Sequence, residues 1–262
     1  MSMADKGWVW EGQGLDPGVY PSIFGIGEGA DFFGLRKVHF LFHETTELAL
    51  QKLSRFDEVR CDISKWKFRN CGTNNGGSEC YADSRLETIL AEAEKVSRYS
   101  LKFPNVTGGY FDDMKGLMKR ENQDVRACIA VKEALIKHNP KLKLESVVYT
   151  HELEDTVFWN SLMPYIDVVS LWVWKYQDLP KLETSIEQCQ RLFIGKPITM
   201  GCYLRDYTTA APVPMDAIKL QWGIVQRGIE DGRLQGFDIL GTVLIEGQLD
   251  QATWIRDFIR SH

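Results

Sequence analysis

Two adjacent carboxylates, Asp112 and Asp113, end the stretch Val106-Thr-Gly-Gly-Tyr-Phe-Asp-Asp-Met. A short apolar stretch that is followed by a loop and by a helical pattern over residues 122–138 predicts a buried strand of a parallel sheet, residues 106–112. In parallel α/β folds, ligands collect where the strands end. Asp also caps helices, but two acids several residues ahead of the next helix favour a functional site.

Cleavage of a glycosidic bond is the chemistry that such acids suggest. It needs two carboxyl groups, one protonated to assist the leaving group and one ionised as nucleophile or base. Asp112 is the first candidate, and Asp113 can tune its pKa by like-charge repulsion. The second group is Glu152, or its neighbour Glu154, after the fifth strand, or Glu246 after the eighth. Acids also favour the first turn of a helix for dipole reasons, and this is the alternative for the two residues after the fifth strand.

Eight strand-like segments organise the rest of the chain: residues 7–11, 37–43, 58–64, 106–112, 142–150, 168–174, 198–204 and 237–245. Most are followed by a helical pattern, over residues 44–55, 83–102, 123–138, 153–163, 179–192, 215–231 and 251–260. Eight βα units in 262 residues predict an α/β fold, a single (β/α)8 TIM barrel with residues 1–262 as one domain. The stretch 12–34 is rich in Gly and Pro and shows no helix.

Strand residues of a barrel point alternately into the lumen and out toward the helices, and the outward set must be apolar. This parity assigns the inward side chains. They are His39, Leu41 and His43; Arg60, Asp62 and Ser64; Tyr110 and Asp112; Tyr149 and His151; Ser170, Trp172 and Trp174; Thr199, Gly201, Tyr203 and Arg205; Thr242 and Glu246.

Aromatic and polar side chains near the strand ends suit a saccharide, because sugar C–H patches pack on indole faces and hydroxyl groups need hydrogen-bond partners. The expected substrate-binding residues are His43, Lys65, Trp66, His151, Trp172, Trp174, Lys175, Tyr203 and Arg205. Core filling is the alternative for Trp172, and an ion pair with Asp206 is the alternative for Arg205.

The segment Gly108-Gly-Tyr-Phe-Asp112-Asp113 resembles the strand end, often Gly-x-x-x-Asp-Asp, of several TIM-barrel glycoside hydrolases, including the polygalactosaminidase-like group. The resemblance covers one strand and the eight-unit layout. It implies a carbohydrate-active hydrolase in which Asp112 and Asp113 are catalytic candidates. The largest retaining group has Asn-Glu at the fourth strand and Glu at the seventh. Here Tyr203-Leu-Arg205 stands at the seventh, so the acid/base partner and the stereochemical outcome stay open.

Two other functions fit the same residues. His43, Asp62, Asp112, His151 and Glu246 are inward nitrogen and oxygen ligands on different strands, the kind of set that holds a divalent metal in barrel hydrolases and isomerases. No His-x-His or His-Glu-x-x-His spacing supports it, and the favoured interpretation uses neither metal nor cofactor. The third possibility is a barrel that binds sugar without cleaving it.

Composition limits the partners. A net charge of −5 without a basic cluster argues against nucleic acid, and no apolar stretch approaches the roughly 20 residues that span a bilayer. The first residues lack the apolar core of a signal peptide, which predicts a cytoplasmic protein, or a secreted one if a leader has been removed. The helix faces show no apolar stripe, so a monomer is expected.

The six cysteines form no Cys-x-x-Cys pair, and reduced thiols are the default expectation. Cys71 and Cys80 flank a loop rich in Gly and Asn, where a disulfide can form if the protein is exported. This loop is a candidate rim or lid for the site.

Overall fold

The computed structural model describes residues 2–12, 19–64, 66–70 and 78–262, with the backbone alone at 66–70 and 78–82. Eight parallel strands close into a barrel in which each strand pairs with its neighbours in the sequence. They are β1 (Gly7–Trp10), β2 (Lys37–Phe40), β3 (Glu58–Asp62), β4 (Val106–Phe111), β5 (Lys143–Tyr149), β6 (Val168–Trp172), β7 (Ile198–Tyr203) and β8 (Gly236–Leu240). The predicted TIM barrel is confirmed.

The helices are α1 (Ile26–Phe33), α2 (Glu47–Lys52), α3 (Leu86–Tyr99), α4 (Met114–Arg120), α5 (Val125–Ile136), α6 (Thr156–Leu162), α7 (Leu182–Leu192), α8 (Met215–Glu230) and α9 (Leu249–Ser261). All seven predicted helical segments are found, with shorter ends in most. Within the part of the chain that the structure describes, no helix is long and apolar enough to cross a membrane.

Helix α1 corrects the prediction of no helix in residues 12–34. Its buried residues Ile26, Ala30 and Phe33 are spaced as one helical face. The glycines that argued against a helix have specific roles. A Cβ on Gly29 would lie 2.0 Å from the side chain of Thr242, and Gly34 ends the helix at φ 74°.

The eighth strand is shorter than predicted. It ends at Leu240, and Thr242–Leu244 forms a helical turn whose Val243 N–H donates to the carbonyl of Glu11. The apolar residues beyond Leu240 are buried by this turn, so their hydrophobicity indicated burial and not strand length.

An antiparallel hairpin, Trp66–Asn70 with Ser78–Ala82, follows β3. The candidate lid falls largely on residues 71–77, which lie outside the described residues, as does Cys71. Of the other cysteines, Cys61, Cys128, Cys189 and Cys202 are buried and form no disulfide within the described part of the chain.

Tryptophan and glycine shape the lumen together. Trp172 on β6 is fully buried and crosses Trp10 edge to face at 5.1 Å. A Cβ on Gly201, its partner on β7, would lie 1.9 Å from the indole ring of Trp172. The indole of Trp172 therefore occupies the space that the side chain of any residue other than glycine at position 201 would need.

Candidate active site

A cavity of about 380 Å³ lies where β4, β5 and β6 end. It is lined by Asp113, Gly116, Leu117, Arg120, Tyr149, His151, Glu152 and Trp174. Four lining residues were predicted as site residues: Asp113, His151, Glu152 and Trp174.

The other side of the cavity is formed by α4, which supplies Gly116, Leu117 and Arg120. This helix begins directly after the paired acids and was not predicted. Its seven residues are too few for a clear period, so only the fold reveals this wall.

Asp112 ends the inward alternation of β4 and is 6% exposed. Burial raises the pKa of Tyr110, Tyr149 and Tyr203, and the negative charge of Asp112 contributes to each increase. Asp112 is therefore buried at the end of β4, within electrostatic reach of tyrosines from three different strands.

Asp113 lies in the left-handed region at φ 48°, which Asp tolerates better than most residues. In a continued strand its side chain would point away from that of Asp112. The left-handed backbone instead lets Asp113 line the cavity, where its Oδ1 accepts a 2.7 Å hydrogen bond from the Tyr149 hydroxyl. Burial raises the pKa of Asp113, and this hydrogen bond opposes part of the increase.

Glu152 ends a helical turn, Thr150–Glu152, that continues directly from β5. Its Oε2 accepts a 3.1 Å hydrogen bond from the main-chain N–H of Tyr149. Burial raises the pKa of Glu152, and the charge of Asp113 adds to the increase while Lys115 opposes it. Two carboxyl groups with raised pKa values therefore share one cavity, and its surroundings favour the protonated form of each relative to water.

Aromatic rings form one wall of the cavity. Trp174 is 38% exposed, stacks on Tyr207 at 6.2 Å and meets Tyr149 edge to face at 5.7 Å. The imidazole of His151 stacks on the Tyr149 ring at 5.5 Å, and burial lowers the pKa of His151. An exposed indole beside a neutral imidazole offers both an apolar face and hydrogen-bonding nitrogens.

Other predicted binding residues surround this wall. Tyr203 is 9% exposed and contacts Trp174, whereas Lys175 is exposed. Arg205 is buried with its guanidinium 5.8 Å over the Tyr207 ring. Asp206, proposed as its ion-pair partner, accepts hydrogen bonds from Thr208 and Thr209.

Trp172, predicted to contact substrate, is fully buried, and its indole N–H donates to Ser170 at 2.8 Å. It fills the lumen below the cavity, so the core alternative is correct. Lys65 and the side chain of Trp66 lie outside the described residues.

His43 is not in the lumen as parity predicted. Phe42 has φ 63°, which breaks the alternation, and His43 stacks on Phe40 and pairs with Glu11 at 2.8 Å. It lines a separate cavity of about 270 Å³ beside α2. Glu246 is exposed and accepts a 3.3 Å hydrogen bond from the N–H of Ile23, so the structure does not place it with the residues that line the larger cavity.

The predicted metal set is not assembled by the fold. Among the described residues, the three side chains of metal-ligand type that come together are His39, Glu145 and Asp238. Parity placed His39 in the lumen, but Glu145 and Asp238 were not predicted as site residues. They could have been found, because each is a charged residue on the inward parity of an apolar strand.

These three groups are engaged by other side chains. His39 Nε2 lies 2.9 Å from Glu145, and Arg60 forms a buried ion pair with the same carboxylate. Asp238 accepts hydrogen bonds from the hydroxyl groups of Ser170 and Thr199. A cation at this point would have to displace the guanidinium of Arg60 or tolerate its charge, so the cluster fits a buried ionic network better than a metal centre.

No family profile and no curated sequence matches the chain. Solved structures share its fold. The family 18 chitinase of Crocus vernus is 11% identical, with 97% of this chain and 98% of that chain covered and a TM-score of 0.53. The PgaB (BpsB) glycoside hydrolase domain of Bordetella bronchiseptica is 10% identical, with 98% and 89% covered and a TM-score of 0.53.

The β-glucuronidase of Bacteroides uniformis is 8% identical and has a TM-score of 0.59, but the match covers 93% of this chain and only 31% of that protein. At these identities the similarity is one of fold alone. It establishes a barrel of the type on which these three proteins are built.

Proposed function

We propose that this protein hydrolyses glycosidic bonds in the cavity above β4, β5 and β6. The observation that carries the proposal is that Asp113 and Glu152 line the same cavity and that burial raises the pKa of each. The fold similarity to a chitinase, a glycoside hydrolase domain and a glucuronidase supports the same reaction class.

Glu152 is the proposed general acid. Its pKa is raised, and it lies on the turn after β5, where it can donate a proton to the leaving oxygen. Asp113 is the proposed nucleophile or base, because the Tyr149 hydroxyl donates to it and so favours its ionised form. Asp113 takes the role first expected of Asp112, since Asp113 lines the cavity. Asp112 is buried and is not among the residues that line the cavity.

The aromatic wall supplies binding. A sugar ring can pack its C–H face on the exposed indole of Trp174, with His151 and Arg120 as hydrogen-bond partners at the edge of the cavity. The substrate is accordingly a saccharide.

The test is hydrolysis of a panel of aryl glycosides and polysaccharides by the wild-type protein, Asp113→Asn and Glu152→Gln, each with and without a chelator. Each variant should lose about 10²- to 10⁴-fold in kcat, because each lacks one proton-transfer or charge-stabilising group. Asn also tolerates the left-handed backbone at position 113, so the first variant changes the charge and keeps the fold. Glu133→Gln, exposed on α5, is the matched control and should retain full activity.

Three other outcomes would contradict the proposed acid or the proposed reaction. Full activity in Glu152→Gln with loss in Glu246→Gln would contradict the role of Glu152. Activity abolished by the chelator would favour a metal-dependent hydrolase. Saccharide binding without turnover would identify a sugar-binding barrel.

A further inference from the structure

We propose that Tyr149 is a positioning residue that holds both proposed catalytic carboxyl groups, Asp113 through its hydroxyl and Glu152 through its main-chain N–H. The inference deepens the proposed function and rests on it. The two hydrogen bonds measure 2.7 Å and 3.1 Å. Both bonds start at Tyr149, one at its side-chain hydroxyl and one at its main-chain N–H. The spacing of the two carboxyl groups therefore depends on the position of this one residue.

The position of Tyr149 suits this role. It is the last residue of β5, and the pairing of β5 with β6 places it opposite Trp172. Its ring is confined between His151, stacked at 5.5 Å, and Trp174, edge to face at 5.7 Å. A ring that is held on two sides has few accessible rotamers, and its hydroxyl oxygen therefore has a defined position.

The two contacts act differently. The main-chain bond to Glu152 also caps the turn Thr150–Glu152, so a structural role alone would account for it. The hydroxyl bond to Asp113 closes no turn and caps no helix. It joins the end of β5 to the residue after β4 and stabilises the ionised carboxylate against the effect of burial.

Tyr149→Phe separates these contributions. It keeps the ring, its stacking and the main-chain N–H, and it removes the hydroxyl, which bonds to Asp113 and also to the Tyr203 side chain from β7. The pKa of Asp113 should then rise further, because burial acts without the opposing hydrogen bond. Glu152 keeps its main-chain partner, but the charge of Asp113 contributes to its raised pKa. If Asp113 ionises at higher pH, this contribution weakens, so the Glu152 midpoint should not rise with that of Asp113.

The first measurement is a ¹³C NMR titration of the side-chain carboxyl groups in the wild-type protein, Tyr149→Phe and Tyr176→Phe. The expected result is an upward shift of the Asp113 midpoint in Tyr149→Phe, with no upward shift of Glu152 and no change of either midpoint in Tyr176→Phe. Tyr176 packs beside the neighbouring strand ends, and its hydroxyl makes no hydrogen bond among the described residues. Identical Asp113 midpoints in the wild-type protein and Tyr149→Phe would overturn the inference.

The second measurement is the pH profile of kcat/KM. If Asp113 must be ionised, activity rises with pH through its pKa, so the acidic limb should move to higher pH in Tyr149→Phe while activity at high pH recovers. A uniform loss at every pH would indicate a merely structural role and would overturn the inference. A wild-type protein without activity would refute the proposed function, and the NMR result would still decide whether Tyr149 holds Asp113.

Discussion

Asp113 shows how one backbone angle changes the chemistry of a strand end. Adjacent residues of a strand point to opposite sides, so two consecutive acids cannot normally serve one site. The left-handed φ of 48° removes this constraint. As a result Asp112 is buried at the end of β4 and Asp113 lines the cavity. Asp and Asn are the residue types that accept this conformation at low cost.

Asp113→Asn is expected to stabilise the protein at pH 7. Burial raises the pKa of Asp113 above its ordinary 3.8, so the folded state binds its proton more tightly than the unfolded state. The penalty on the folded protein is therefore absent below pH 3.8, grows as pH rises above 3.8, and is complete above the raised pKa. Thermal unfolding should show a gain in Tm that is largest at pH 7 and smaller at pH 4. Glu133→Gln should show no such trend, and a gain independent of pH would contradict the explanation.

Trp174→Ala is expected to weaken substrate binding. The indole is 38% exposed and offers a flat apolar face to a sugar, and such a contact is worth about 1 kcal/mol, or roughly a 5-fold change in affinity. KM should rise by about that factor while kcat stays within about 2-fold, because the indole carries no proton. Initial-rate kinetics on the best substrate checks this, and an unchanged KM would place the substrate elsewhere.

Glycines decide how the elements of this barrel approach one another. In α1, Gly29 allows Thr242 to pack against the helix, and in β7, Gly201 leaves room for the indole of Trp172. Both glycines lie in elements where glycine is locally unfavourable. Their value comes from a partner far away in the sequence, which is why α1 was not predicted.

Gly201→Ala should lower the free energy of unfolding by about 1–3 kcal/mol, because its Cβ overlaps the ring of Trp172 in a packed lumen. Gly223→Ala is the matched control. It lies inside α8, and the nearest atom to its Cβ is 3.6 Å away, so it should raise the free energy of unfolding by about 0.4–1 kcal/mol. Chemical denaturation of both variants gives the two values. Equal effects would contradict the packing argument.

The whole barrel is crossed by the ionic network of His39, Arg60, Glu145 and Asp238, which come from β2, β3, β5 and β8. All four side chains are nearly inaccessible to solvent. Burial alone would raise the pKa of Glu145, but the charges of Arg60 and His39 outweigh burial and lower it to about 2. Burial raises the pKa of Asp238, so that carboxyl group has the opposite effect on stability.

Glu145→Gln should destabilise the protein by about 3–5 kcal/mol at pH 7, because Arg60 is left buried without its counter-charge. The pKa of Glu145 falls from 4.5 to about 2 on folding, so its stabilisation is complete above pH 4.5 and is lost as pH falls toward 2. Urea denaturation between pH 7 and pH 3 should show the difference between the variant and the wild type shrinking at low pH. A constant difference would contradict the assignment.

Patterns along the chain were sufficient for the eight strands, their order and the inward positions of His39, Asp112, Tyr149 and Trp174. These features follow from the period-2 alternation and the length of the βα units, which are local properties. The paired acids at the fourth strand end could be found for the same reason.

The rest depends on contacts between segments distant in the sequence. The left-handed turn at Asp113, the outward position of His43 after Phe42, and the pairing of Glu145 with Arg60 have no local signal. The choice of Glu152 over Glu246 as proposed acid is also of this kind, because it follows from which loops border the cavity. Such features are set by the close packing of the folded chain, where steric fit and buried charge outweigh local preference.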